Sequence, residues 1–131
     1  MADIYNQHES AFAKVSAFIV MKDGERVATV AIKFPADGAG RLWAYVHWVG
    51  IEMVRGYADG FGYDKRTAAV SSAAGKLPPD LPAEKYSDGA PHYSDKVRAD
   101  YAAFRATILA DTGPDWSDAL RSAGFEVWQA V

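Results

Sequence analysis

The sequence predicts an α+β domain, a mostly antiparallel sheet with helices packed on one face, in the order β-β-β-(β)-α-α-α-β. Three observations carry that prediction. Apolar residues recur with a period of two in the first half and near 3.6 in the second. The dipeptide Asp23-Gly24 separates two β-branched apolar runs, which is hairpin chemistry. The 131 residues, 50% hydrophobic and 24% charged, have the composition of a folded domain and exclude a disordered chain.

Taking the elements in order, Lys14 to Lys22 and Arg26 to Phe34 form the arms of the hairpin. With Asp23 and Gly24 as the two loop residues, Val15, Ala17, Ile19 and Met21 share a face with Ala28, Val30 and Ile32, and that face is expected to meet the core. A loop by composition, Pro35 to Gly40, leads to Arg41 to Val49, apolar on both faces and so read as a central strand. Met53 to Ala58 is a fourth strand, pairing back after a bend at Gly50 and weakened by Gly56. Asp64 to Leu77 places Ala69, Val70, Ala73, Ala74 and Leu77 on one helical stripe that Pro78-Pro79 ends, and its small residues allow close approach to the sheet. Residues 78 to 93 read as a long exposed connection with little core of their own. Ser94 caps a helix running to about Thr112, with Val97, Tyr101, Phe104 and Ile108 along its inner face. A short helix from about Pro114 to Ala123, closed by Gly124, precedes a last strand from Phe125 to Val131. No repeat or second domain interrupts residues 1 to 131, which are expected to form a single globular domain.

Composition removes several function classes. No Cys is present, so disulfides and thiol nucleophiles are excluded. Fourteen Lys and Arg against 17 Asp and Glu, a net charge of -3, oppose attraction of the whole chain to nucleic acid or acidic membranes. No apolar run has membrane-span length, and the start Met-Ala-Asp-Ile-Tyr-Asn carries no signal-peptide pattern, so a cytoplasmic protein is expected. His8, His47 and His92 lie far apart and point to no metal site. His47 shares a strand face with Trp43, Tyr45 and Val49 and reads as a structural histidine. Nucleophile-elbow and P-loop patterns are missing.

One segment joins the sheet to the first helix with unusual chemistry. Arg55 to Arg66 contains Gly60 and Gly62 immediately before a helix start, where unpaired N–H groups carry partial positive charge. Lys65 and Arg66 add cations in a first turn that the helix dipole disfavours unless an anion is near. Two accounts stay open. Either the loop and helix end form an anion site, or Asp64 caps the helix and the basic side chains point to water. Arg55-Gly56-Tyr57-Ala58 also matches the opening of an RNA-recognition signature, but Asp59, Gly60 and Gly62 break the match, so direct nucleic-acid contact is not favoured.

Gly60-Phe61-Gly62-Tyr63-Asp64-Lys65 followed by Thr67-Ala68-Ala69, preceded by a strand and Arg55-Gly56, resembles a group of small proteins of phages, plasmids and integrated elements. The resemblance covers about residues 41 to 77. It implies a mobile-element accessory protein, many of which bind and block a host defence complex, such as anti-CRISPR or antirestriction proteins. It carries over no catalytic residue and implies no cofactor. The expectation is a non-enzymatic binding protein acting on a host protein or ribonucleoprotein complex. Its contacts are Arg55, Tyr57, Gly60, Gly62, Tyr63, Lys65 and Arg66, with the two tyrosines as anchors. The alternative is a small acyltransferase-like or nucleotide-binding enzyme that holds a phosphate on the Gly60/Gly62 loop.

Overall fold

The structure, a computed structural model, describes residues 12–35, 42–58, 64–81, 93–110 and 115–130. Strands β1 (Phe12–Lys22), β2 (Glu25–Pro35), β3 (Leu42–Trp48) and β4 (Val54–Ala58) precede helices α1 (Lys65–Gly75), α2 (Asp95–Ala110) and α3 (Trp116–Ser122), and β5 (Glu126–Gln129) follows. The five strands form one antiparallel sheet in the order β4-β3-β2-β1-β5, an α+β architecture as the sequence predicts. The helices carry the chain from the edge strand β4 to the opposite edge, β5.

The hairpin turn falls where its chemistry places it. Asp23 and Gly24 both take positive φ, 52° and 81°, the requirement of a two-residue turn that matches strand twist. Lys22 pairs with Glu25 and Met21 with Arg26, but Val20 then pairs with Ala28, so Val27 is an extra residue in β2. This bulge reverses the expected facing of β1. Phe18 and Val20, not Ile19 and Met21, join Ala28, Val30 and Ile32 in the core, because one inserted residue exchanges the two faces of the partner strand.

The core lies between one sheet face and the helices. Trp48 anchors it, with the Tyr101 and Phe104 rings of α2 at 5.4 and 5.2 Å, and Phe18 meets Trp116 of α3 edge-on at 5.1 Å. Ala69, Val70, Ala73 and Ala74 of α1 are fully buried, and their small size lets the helix backbone settle against Gly56 of β4. A glycine that weakens a strand by propensity is here the seat for a helix.

Leu77 is buried with the helical stripe and Pro78, Pro79 and Asp80 are exposed, both as expected, but Leu81 departs from the expected exposed connection. Leu77 and Leu81 are both 2% exposed. Three side chains of α2 hold this stretch: Arg105 donates to the Leu77 carbonyl at 3.2 Å, the Tyr101 hydroxyl to that of Pro78, and Arg98 to that of Leu81 at 3.1 Å. They satisfy carbonyls that would otherwise be orphaned beyond a helix end. The rest of that connection, residues 82–92, lies outside the described residues.

The caps of the other helices follow local chemistry. Ser94 Oγ accepts from the Val97 amide at 3.2 Å, as expected. Asp115 caps α3, accepting from the amides of Ser117 and Asp118 and from the Ser117 hydroxyl at 2.6 Å. Gly124, at φ 98°, closes α3 in a Schellman arrangement, with Phe125 N donating to Leu120 O and Gly124 N to Arg121 O. Phe125 and Leu120 are buried together in the core, which fixes the path into β5.

Candidate functional site

On the sheet face turned away from the helices, the antiparallel registers bring residues from the five strands into cross-strand rows of four. Tyr57, Trp43, Lys33 and Val15 form one row and Arg55, Tyr45, Ala31 and Ala17 the next. His47, Thr29, Ile19 and Trp128 form a third. Side chains alternate along β3, so Leu42, Ala44, Val46 and Trp48 enter the core while Trp43, Tyr45 and His47 stay half-buried on this second face.

Trp43 is the centre of the upper part. The Arg55 guanidinium carbon lies 4.9 Å from its ring centroid, a cation–π distance, and the Tyr57 ring is 6.0 Å away at a tilt of 47°. Arg55 is exposed and Tyr57 is 43% exposed. Beside them, Lys33 is buried to 1%, with its ammonium 5.2 Å from the Tyr45 ring centroid. Further down β3, next to the bulge, a hollow of about 190 Å³ is lined by Arg26, Val27, Ala28, Thr29, His47 and Val49. Within it Arg26 Nη2 donates to Thr29 Oγ1 at 3.0 Å.

The residues singled out from sequence divide between two places. Arg55 and Tyr57 lie together on β4, two residues apart and on the same face. Lys65 and Arg66 open α1, which packs on the other face against Gly56. Gly60, Gly62 and Tyr63 lie outside the described residues. At the start of α1 the chain supplies its own anion: Asp64 Oδ1 accepts from the Arg66 amide at 2.9 Å and the Thr67 amide at 3.4 Å, and Oδ2 from the Thr67 hydroxyl at 3.1 Å. Arg66 Nη2 stands 4.0 Å from the same carboxylate. The two first-turn amides best placed for a phosphate are thus already taken by the Asp64 cap, while the Lys65 and Arg66 side chains are half-buried rather than turned wholly to water.

Trp43, Tyr45, Arg26 and Thr29 belong to the second face and were not singled out from sequence. The alternation Trp43, Tyr45, His47 was readable, and His47 shares a face with both rings as expected, but β3 read as apolar on both sides. Among the described residues no group of three or more His, Cys, Asp or Glu is placed to hold a metal ion. No helix among them is long and apolar enough to cross a membrane.

Ion pairs elsewhere are structural. Lys96 at the start of α2 reaches Asp23 of the hairpin turn at 2.7 Å and Asp100 at 2.8 Å, which lowers the Asp23 carboxyl and raises the Lys96 ammonium from their ordinary values. Burial raises the Tyr101 phenol. None of these groups belongs to the second face. Compared with known proteins, the chain matches no family model, no curated protein and no solved structure.

Proposed function

We propose that the chain is a non-enzymatic binding protein that occludes a macromolecular partner, and that the sheet face bearing Trp43, Arg55 and Tyr57 is its contact surface. One observation carries this reading: an Arg and a Tyr, the residue types that dominate binding energy at interfaces, are held exposed around a Trp by strand pairing. The rigidity matters, because side chains fixed on a sheet lose little entropy on binding. The resemblance of residues 41 to 77 to mobile-element accessory proteins supplies the partner class, a host defence complex of the kind that anti-CRISPR and antirestriction proteins block.

The test is a phage-plating assay in bacteria carrying a restriction or CRISPR system. Expression of the protein should raise plating efficiency, and Arg55→Ala with Tyr57→Ala should abolish the effect while the melting temperature stays unchanged. No rise in plating against a panel of such systems sinks the partner class. Full activity of the double variant removes this face as the contact surface.

A further inference from the structure

The second face of the sheet carries a charge pattern opposite to that of the whole chain. Among the described residues at its ladder positions, Glu126 is the one carboxylate, and it sits on the edge strand β5, three strands away from Trp43. Arg26 and Arg55 lie on the same face, and His47 lines the hollow with Arg26. In a chain of net charge -3 the aromatic cluster thus has Arg55 within it and Arg26 at the far end of the same face, where Arg26 also borders an adjoining hollow lined by Asp23, Glu25 and Asp100.

We infer that this face binds single-stranded nucleic acid, with bases stacked on the Trp43, Tyr57 and Arg55 planes and a phosphate beside Arg26 and His47 in the hollow. The inference rests on the assignment of this face as the contact surface and names what it touches. Bases stack on aromatic rings and on guanidinium planes alike, and such platforms combine with cations that hold the backbone. The Arg55 guanidinium over Trp43 is one such plane, already stacked. At the other end, Arg26 and His47 border a hollow that Val27, Ala28, Thr29 and Val49 also line and no acid enters, which leaves room for a phosphate. The four-residue step from Trp43 to His47 along β3 separates the two ends by about 13 Å, so an extended strand running along β3 meets both. A duplex offers no free base faces to stack. An acidic peptide would neutralise Arg26 and Arg55 but would leave the flat aromatic platform without planar partners. Lys33 is too deeply buried to serve as a contact.

The probes are fluorescein-labelled 15-mers of dT and rU, titrated by polarisation at 50 and 200 mM salt while tryptophan emission is followed. Binding is expected, with quenching of emission and an affinity that falls severalfold or more between the two salts. Tyr57→Ala and Arg55→Glu should each weaken it about tenfold or more, and Arg26→Ala should weaken it with a shallower salt dependence. All three side chains are on the surface, and unchanged melting temperatures confirm that the variants fold. Absence of binding at 100 μM protein, or binding indifferent to Tyr57→Ala and Arg55→Glu, overturns the inference. If the oligonucleotides fail but the Arg55→Ala, Tyr57→Ala variant still loses its effect on plating, the contact surface stands and its partner is protein. If the oligonucleotides bind through this face but plating never responds, the nucleic-acid contact stands and the defence-complex reading falls.

Discussion

A Cβ built on Gly56 would lie 2.4 Å from the amide nitrogen of Ala73 and 2.8 Å from the carbonyl carbon of Ser72, both backbone atoms that cannot swing aside. Gly56→Ala should therefore push α1 off the sheet and cost about 3 kcal/mol. Gly24→Ala meets no atom within 4 Å and suffers only its positive φ, so it should cost about 1 kcal/mol. Urea unfolding of the two variants checks the ordering, and equal losses would contradict the close approach at Gly56. A second residue gives a pH signature. The Ser117 hydroxyl, bonded to Asp115, holds that carboxyl below the ordinary carboxylate range. A carboxyl depressed in the folded state stabilises it above the unfolded value, and the contribution disappears as pH falls through the folded value. Asp115→Ala should cost about 1 kcal/mol at pH 7, and its deficit should shrink as the pH falls below the ordinary carboxylate range. Denaturant midpoints between pH 7 and 2.5 measure this, and a deficit constant with pH would contradict it. Sequence showed that Gly56 was costly in a strand but not why it was there. The atoms that need its missing Cβ come from Ser72 and Ala73, and only tertiary structure brings them close.

At the scale of elements, every strand and helix was legible from periodicity and turn chemistry, because local signals agree with the global fold. The facing of β1 was not. A bulge changes no residue type and breaks no alternation, so Val27 looks in sequence like any β-branched strand residue, yet it reverses which half of β1 the core receives. Deleting Val27 while keeping the Asp23-Gly24 turn should restore the simple register and turn Ile19 and Met21 toward the helices in place of Phe18 and Val20. Phe18 would then lose its edge-on contact with Trp116. The expected result is loss of a cooperative thermal transition and of near-ultraviolet circular dichroism, and a cooperative unfolding curve within a few degrees of the parent would refute the role given to the bulge. The strap at residues 77 to 81 was hidden for a related reason: prolines and short polar residues read as loop, while the donors that pin it come from Arg98, Tyr101 and Arg105 on α2.

Over the whole molecule, the two faces of one sheet have different work. One is sealed by three helices; on the other Ala17, Thr29, Ala31 and Lys33 are buried, and the exposed rings are Tyr57 at 43% and Trp128 at 60%. About half of the candidate surface was legible, since Arg55 and Tyr57 stood in a segment chosen for its chemistry. Trp43, Arg26 and Thr29 join them only through pairing in space. Removing residues 125 to 131 should strip β5 from β1, expose the unpaired backbone of Phe18 to Met21 and produce a species that associates at micromolar concentration. Size-exclusion chromatography checks this, and a monomeric, fully folded truncation would show that β5 is dispensable.

The pairing of Phe18 with Gln129 also sets a timetable for synthesis. As the nascent chain leaves the ribosome, the hairpin can zip at once, but the outer side of its first arm must wait until Gln129 has been translated. For that interval the edge is a template open to strangers, so slow translation or crowded polysomes should divert this chain toward aggregates, and a chaperone that shields the first hairpin should raise its yield.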